Sequence, residues 1–218
     1  LRFKSLFRKC SSKSISMTKN IIITGASSSI GNLLVNKLIQ LPVKLFCQYN
    51  NNDKELQKYK NSFPDKIFLF RSNFHNEEQI VEFSNKITSL EKISALVHLP
   101  SKGLEIKKHK KIDWSEFQSQ IMIQVGSLHI LTSKIIHKFT ELSSANIIVL
   151  GSIGTEGKPP SGMIDYLSTK GMLAQYCKCL NSEYLSKGIK TTLISPPMFK
   201  SPLLQKLPNF IIEKNTEI

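Results

Sequence analysis

Short, β-branched apolar runs alternate with longer amphipathic stretches along most of this chain. The runs fall at residues 21–24 (IIIT), 43–48, 67–71, 94–99, 146–151 and 190–195. Each is too short for a helix and continuously apolar, as strands covered on both faces are. Between them, residues 30–40 set Ile30, Leu33, Leu34, Val35 and Leu38 on one helical face. Residues 77–90 do the same with Ile80, Val81, Phe83 and Ile87. Two longer helices are expected over 115–139 and 164–187. Strands and helices in alternation, joined by short connections, give βαβ units and a doubly wound parallel sheet in one α/β domain.

Composition narrows the class. The 40% hydrophobic content of the 218 residues excludes a disordered or collagen-like chain. No apolar run approaches the roughly 18 residues of a membrane helix, so no membrane partner is expected. Cys10, Cys47, Cys177 and Cys179 include no C-x-x-C pair. No metal site is therefore expected, and a reducing compartment is the default. The net charge of +14 comes from lysine, since only Arg2, Arg8 and Arg71 are arginines. Base readout favours the planar guanidinium, so this excess reads as a solvated surface and no nucleic-acid partner is expected. Only Lys107, Lys108, Lys110 and Lys111 cluster.

Residues 1–16 (LRFKSLFRKCSSKSIS) hold five basic residues and no acid. They read either as a transit-like extension or as an artefact upstream of Met17, where MTKNIIITG makes a natural start. The folded domain is set at 17–218, with a charge of +9 once the extension is left aside.

Two stretches carry chemistry. The first strand runs into Thr24-Gly25-Ala26-Ser27-Ser28-Ser29-Ile30-Gly31, and a helix follows. A tight turn of small residues lets backbone amides and the helix N-terminus face a pyrophosphate. The second stretch is Tyr166-Leu167-Ser168-Thr169-Lys170, which sets a phenol and an ammonium one helical turn apart. A lysine beside a tyrosine favours the phenolate and lowers its pKa. Upstream, Gly151-Ser152 puts a hydroxyl at the carboxyl end of the fifth strand, where doubly wound folds bind ligands. The specific signal is the combination, in this order.

With these motifs the chain resembles the short-chain dehydrogenase/reductase family from about Ile21 to Ser201. The resemblance implies a Rossmann-like catalytic domain that uses NAD or NADP and transfers hydride between nicotinamide and a carbonyl or alcohol. It implies Tyr166 as proton donor, Ser152 as holder of the substrate oxygen, and Lys170 as ribose ligand and tuner of Tyr166. Gln124 stands where the family has an asparagine that anchors a relay water. Gly25, Ser27, Ser29, Ile30 and Gly31 would line the cofactor turn, with Asn50 and Asn73 towards the adenosine. Pro196 and Ser201, in SPPMFKS, resemble the family's PG-x-x-x-T segment. The substrate would be a small molecule: a 3-oxoacyl, pteridine or other carbonyl compound. A homodimer or homotetramer would form through the two long helices.

The departures mark a divergent member. Ser29 replaces a turn glycine, Asn73 an aspartate, Gln124 the asparagine and Pro197 the glycine of PG, while His98-Leu99-Pro100-Ser101 replaces Asn-Asn-Ala-Gly. His98 reads as a strand-end histidine bonded to neighbouring backbone rather than as a catalytic group. Only 17 residues follow Ser201, so the family's final strand is expected to be missing. Strand two ends Cys47-Gln48-Tyr49-Asn50-Asn51-Asn52, with no acid before Asp53. NAD enzymes usually carry an acid there, so NADP(H) is favoured over NAD, with no arginine evident as a phosphate clamp. The rival reading is a catalytically impaired dinucleotide-binding scaffold or sensor. Location is expected to be cytoplasmic, or an organelle matrix if the extension is a genuine transit peptide.

Overall fold

The computed structural model describes residues 19–141, 144–198, 201 and 204. The basic extension and almost everything after Met198 lie outside these residues, and so do the expectations placed there. Six strands form one parallel sheet: β1 (Lys19–Thr24), β2 (Val43–Tyr49), β3 (Ile67–Arg71), β4 (Ile93–His98), β5 (Ala145–Leu150) and β6 (Ile189–Ile194). Their order is β3-β2-β1-β4-β5-β6, so the chain reverses direction across the sheet between β1 and β4. A crevice opens at such a switch point, at the carboxyl ends of the strands.

Alternation along each strand feeds two cores. Ile22, Phe46 and Leu96 point to one face of the sheet. There they meet α3 (Glu77–Thr88), α5 (Ser127–Thr140) and α6 (Ile164–Tyr184) through Phe83, Leu131 and Leu173. Ile21, Ile23, Leu45 and Val97 point to the other face, against α1 (Ser29–Leu38) and α2 (Lys54–Ser62) through Val35 and Leu56. Among the described residues no helix is long and apolar enough to cross a membrane.

The expected 115–139 helix is not uniform. It runs as α4 (Trp114–Ile121), a wider π-helical turn over Met122–Gly126, then α5. At Gly126 a Cβ would lie 2.8 Å from Met122 Sδ, the end of a flexible side chain. Such turns release carbonyls from the regular helical ladder, and they recur at functional sites.

Candidate active site

The β1–α1 turn is built for close approach. Gly25 has φ +68°, and a Cβ there would lie 3.0 Å from the Pro100 nitrogen, so the end of β4 packs directly on the turn. Gly31 has no room for a side chain, since a Cβ would sit 2.4 Å from the Ala26 carbonyl oxygen. Ser28 caps α1 by accepting from the Gly31 amide at 3.1 Å. Gln48, buried at the end of β2, braces the turn: its Oε1 accepts from the Gly25 amide at 2.8 Å and its Nε2 donates to the Ser72 carbonyl at 2.6 Å. The first-turn amides of Ser29 and Ile30 have no place in the helical ladder, which suits an anion at this helix start. Ser29 opens the helix without a positive φ, so the glycine it replaces is not needed for backbone freedom. The turn fits a dinucleotide pyrophosphate.

Asn50 leaves the end of β2 with its carbonyl accepting from Arg71 Nε at 3.3 Å. Arg71 ends β3, in register with Tyr49, and its guanidinium is exposed. Sequence reasoning missed this placement, for which strand pairing was the available signal. Asp53, just past the strand end, accepts through its carboxylate from Gln57 Nε2 at 2.9 Å and from the Tyr49 hydroxyl. The Gln57 bond chiefly holds its pKa below the ordinary carboxylate value, and Arg71 adds to this. Asn73 uses its own Oδ1 to close a turn on the His75 amide at 3.0 Å, and that oxygen retains a second lone pair.

Ser152, Tyr166 and Lys170 come together at the carboxyl end of β5. Gly151 donates to the Ile194 carbonyl at 2.7 Å and Ile153 to that of Pro196 at 3.2 Å, which sets Pro196 beside the Ser152 turn. Ser152 and Tyr166 share a side-chain hydrogen bond. The expectation that Lys170 lowers the phenol's pKa is corrected by the geometry. Burial raises the Tyr166 pKa, with only the Ser152 bond pulling it down. Lys170 Nζ lies 5.7 Å from the Tyr166 ring centroid and donates to the Leu150 carbonyl at 2.7 Å. Lys170 itself is pushed down to about 7 by burial. A phenol that keeps its proton at neutral pH, beside a hydroxyl, can donate that proton to a carbonyl oxygen undergoing reduction.

His98 joins three elements. Its Nε2 lies 2.9 Å from the Gln124 carbonyl in the π-helical turn, and its Nδ1 lies 2.9 Å from Thr24 Oγ1 at the end of β1. A carbonyl only accepts, so Nε2 carries the proton and Nδ1 accepts from the threonine. Burial pushes the ring down to about 3. The backbone partner is as expected in kind, but it is distant in sequence. Gln124 is fully buried and donates through Nε2 to Gln120 at 2.8 Å, leaving its Oε1 without a partner. Above the site, Leu104, Met163, Tyr166 and Leu204 form an apolar cluster joined by Leu167 and Met198. Leu204 donates its amide to the Ser201 carbonyl at 3.0 Å, so Ser201 sits at the edge of that cluster.

A family-wide sequence model described as short chain dehydrogenase matches residues 19–211. The chain belongs to the short-chain dehydrogenase family. As a member it is an NAD(P)-dependent oxidoreductase. The 3-oxoacyl-[acyl-carrier-protein] reductase of Rickettsia typhi is 28% identical over 190 residues, 87% of this chain and 76% of that protein. The 3-ketoacyl-(acyl-carrier-protein) reductase of Brucella melitensis, solved with NADH, superposes with a TM-score of 0.77 at 20% identity, over 86% of this chain and 78% of that one. A dehydrogenase of Beutenbergia cavernae, solved with NADP, gives 0.78 at 12% identity, over 87% and 76%. At those identities the structural likeness concerns the fold alone.

Proposed function

We propose that this short-chain dehydrogenase is an NADP(H)-dependent reductase of a small carbonyl compound, a 3-oxoacyl thioester before a pteridine. The observation that carries the reading is the Ser152–Tyr166–Lys170 set at the carboxyl ends of the strands, where the cofactor turn also lies. When bound, the nicotinamide cofactor supplies the hydride. The Gly25–Gly31 turn, with Ser27, Ser29 and Ile30, holds the pyrophosphate, and Asn73 lies towards the adenine. Arg71 and Asn50 face the ribose 2′-phosphate, the support for NADP over NAD. Lys170 binds the nicotinamide ribose, Ser152 orients the substrate carbonyl, and Tyr166 delivers a proton to its oxygen. The orphaned Gln124 Oε1 holds a water that resupplies the proton. Pro196 and Ser201 close the nicotinamide end.

The thioester preference draws on relatives named as 3-oxoacyl-[acyl-carrier-protein] reductases and on the apolar cluster around Tyr166. The chain acts as a homodimer or homotetramer inside the cell, in the cytoplasm or an organelle matrix. An NADPH-consumption screen over 3-oxoacyl thioesters, pteridines and simple ketones, with NADPH binding measured by calorimetry, tests this. Consumption with a thioester is expected. NADPH binding without consumption of any substrate would favour the scaffold reading instead.

A further inference from the structure

Gln48 is an amide in a place where an apolar side chain would do. It follows Phe46 on one face of β2 and is 3% exposed. A buried amide costs free energy unless both of its ends are bonded, and here both are. Its Oε1 accepts from the Gly25 amide at 2.8 Å and its Nε2 donates to the Ser72 carbonyl at 2.6 Å. Only the nitrogen can donate, so these two partners fix the orientation of the group. The backbone carbonyl of Gln48 accepts in turn from the Ala26 amide at 2.9 Å. Two consecutive amides of the β1–α1 turn are thus fastened to one residue, whose side chain also holds the chain just past β3. That end of β3 is fastened a second time, from α3. Ser72 Oγ donates to the Gln79 carbonyl at 3.0 Å, and the Asn73 amide donates to Gln79 Oε1 at 2.8 Å.

We propose that Gln48 and Gln79 are positioning residues for the dinucleotide. They hold the β1–α1 turn and the β3–α3 loop at one fixed spacing, which preorganises the pyrophosphate and adenosine sites relative to each other. This role rests on the dinucleotide reading of the turn, with Asn73 towards the adenine. Loops that must be ordered on binding subtract that cost from affinity, and loops already bonded in place do not. Gln48 is buried, so it acts through Gly25, Ala26 and Ser72 and not by touching the cofactor. The spacing it sets serves NADH and NADPH alike, whereas Arg71 bears on the 2′-phosphate alone.

Calorimetry of NADPH and NADH binding to the full-length chain tests this, in wild type, Gln48→Met and Gln79→Met. Methionine keeps the length of the side chain and makes neither bond. In Gln48→Met both dissociation constants are expected to rise about tenfold or more, by similar factors and at unchanged stoichiometry. Gln79→Met, at an exposed position, is expected to weaken both nucleotides about threefold. It keeps the test decisive should Gln48→Met fail to fold. On any carbonyl compound that is turned over, KM for NADPH should rise in both variants while kcat stays within about twofold. A role in folding alone would lower the urea midpoint and the fraction of binding-competent molecules but leave the dissociation constants unchanged. That result would overturn the proposal. So would a loss confined to NADPH, which would put Gln48 in the 2′-phosphate site. A wild type that bound neither nucleotide would sink the dinucleotide reading and the positioning role together, an outcome distinct from unchanged affinity in the variants.

Discussion

Lys170, Tyr166 and His98 lie almost wholly out of water, and burial moves each towards its neutral form. For His98 the consequence reaches stability. Its folded value of about 3 lies below the ordinary 6.5, so below pH 6.5 the unfolded chain takes up a proton that the native ring refuses. Stability from this group is complete above that pH and is lost as pH falls towards 3, at up to about 1.4 kcal/mol per pH unit. His98→Asn should flatten the decline in urea midpoint between pH 6.5 and 4. An unchanged slope would show that the histidine is not held neutral. Arg71 makes a second residue-scale prediction. If its guanidinium reads the 2′-phosphate, Arg71→Gln should weaken NADPH binding about tenfold or more, as loss of a charge-assisted contact does. NADH binding should be little changed. Calorimetry with both nucleotides checks this, and equal losses for the two would remove Arg71 from the phosphate site.

At the scale of elements, β1 and α1 meet through Gly31, which has almost no tolerance for a side chain. Gly31→Ala would force the Ala26 carbonyl to move, with an expected cost of about 1–3 kcal/mol and loss of dinucleotide affinity. Denaturant midpoints and NADPH fluorescence measure the two effects, and a variant unchanged in both would contradict this view of the turn. The six strands were legible because their apolar runs are continuous, and α1 and α3 because their stripes are clear. The helix α2 was not, since KELQKYKNS buries only Leu56 and shows no stripe. Tyr166, Lys170 and Ser152 were legible through spacing and strand position. Three features of the site were not. The π-helical turn leaves no mark in residue types, the His98 bonds to Thr24 and Gln124 join distant parts of the chain, and Arg71 reaches Asn50 only through the pairing of β2 with β3. Each depends on tertiary register. The raised pKa of Tyr166 was also beyond reach, because it follows from burial and from where Lys170 Nζ is bound.

Across the whole molecule, the sheet order places the cofactor turn, the Thr24–His98–Gln124 link and the Ser152–Tyr166–Lys170 set along one edge, the carboxyl ends of β1, β4 and β5. The β1–α1 turn is fitted to a dinucleotide, while an apolar cluster gathers around Tyr166. In the proposed function Tyr166 has one task, the delivery of a proton to a carbonyl oxygen, while cofactor binding rests mainly on other residues. The most direct test follows NADPH oxidation by the full chain on a 3-oxoacyl thioester, in wild type and Tyr166→Phe, with NADPH affinity measured alongside. Turnover is expected to fall roughly 10²–10⁴-fold with NADPH affinity nearly unchanged. Wild-type turnover in Tyr166→Phe would contradict the assignment.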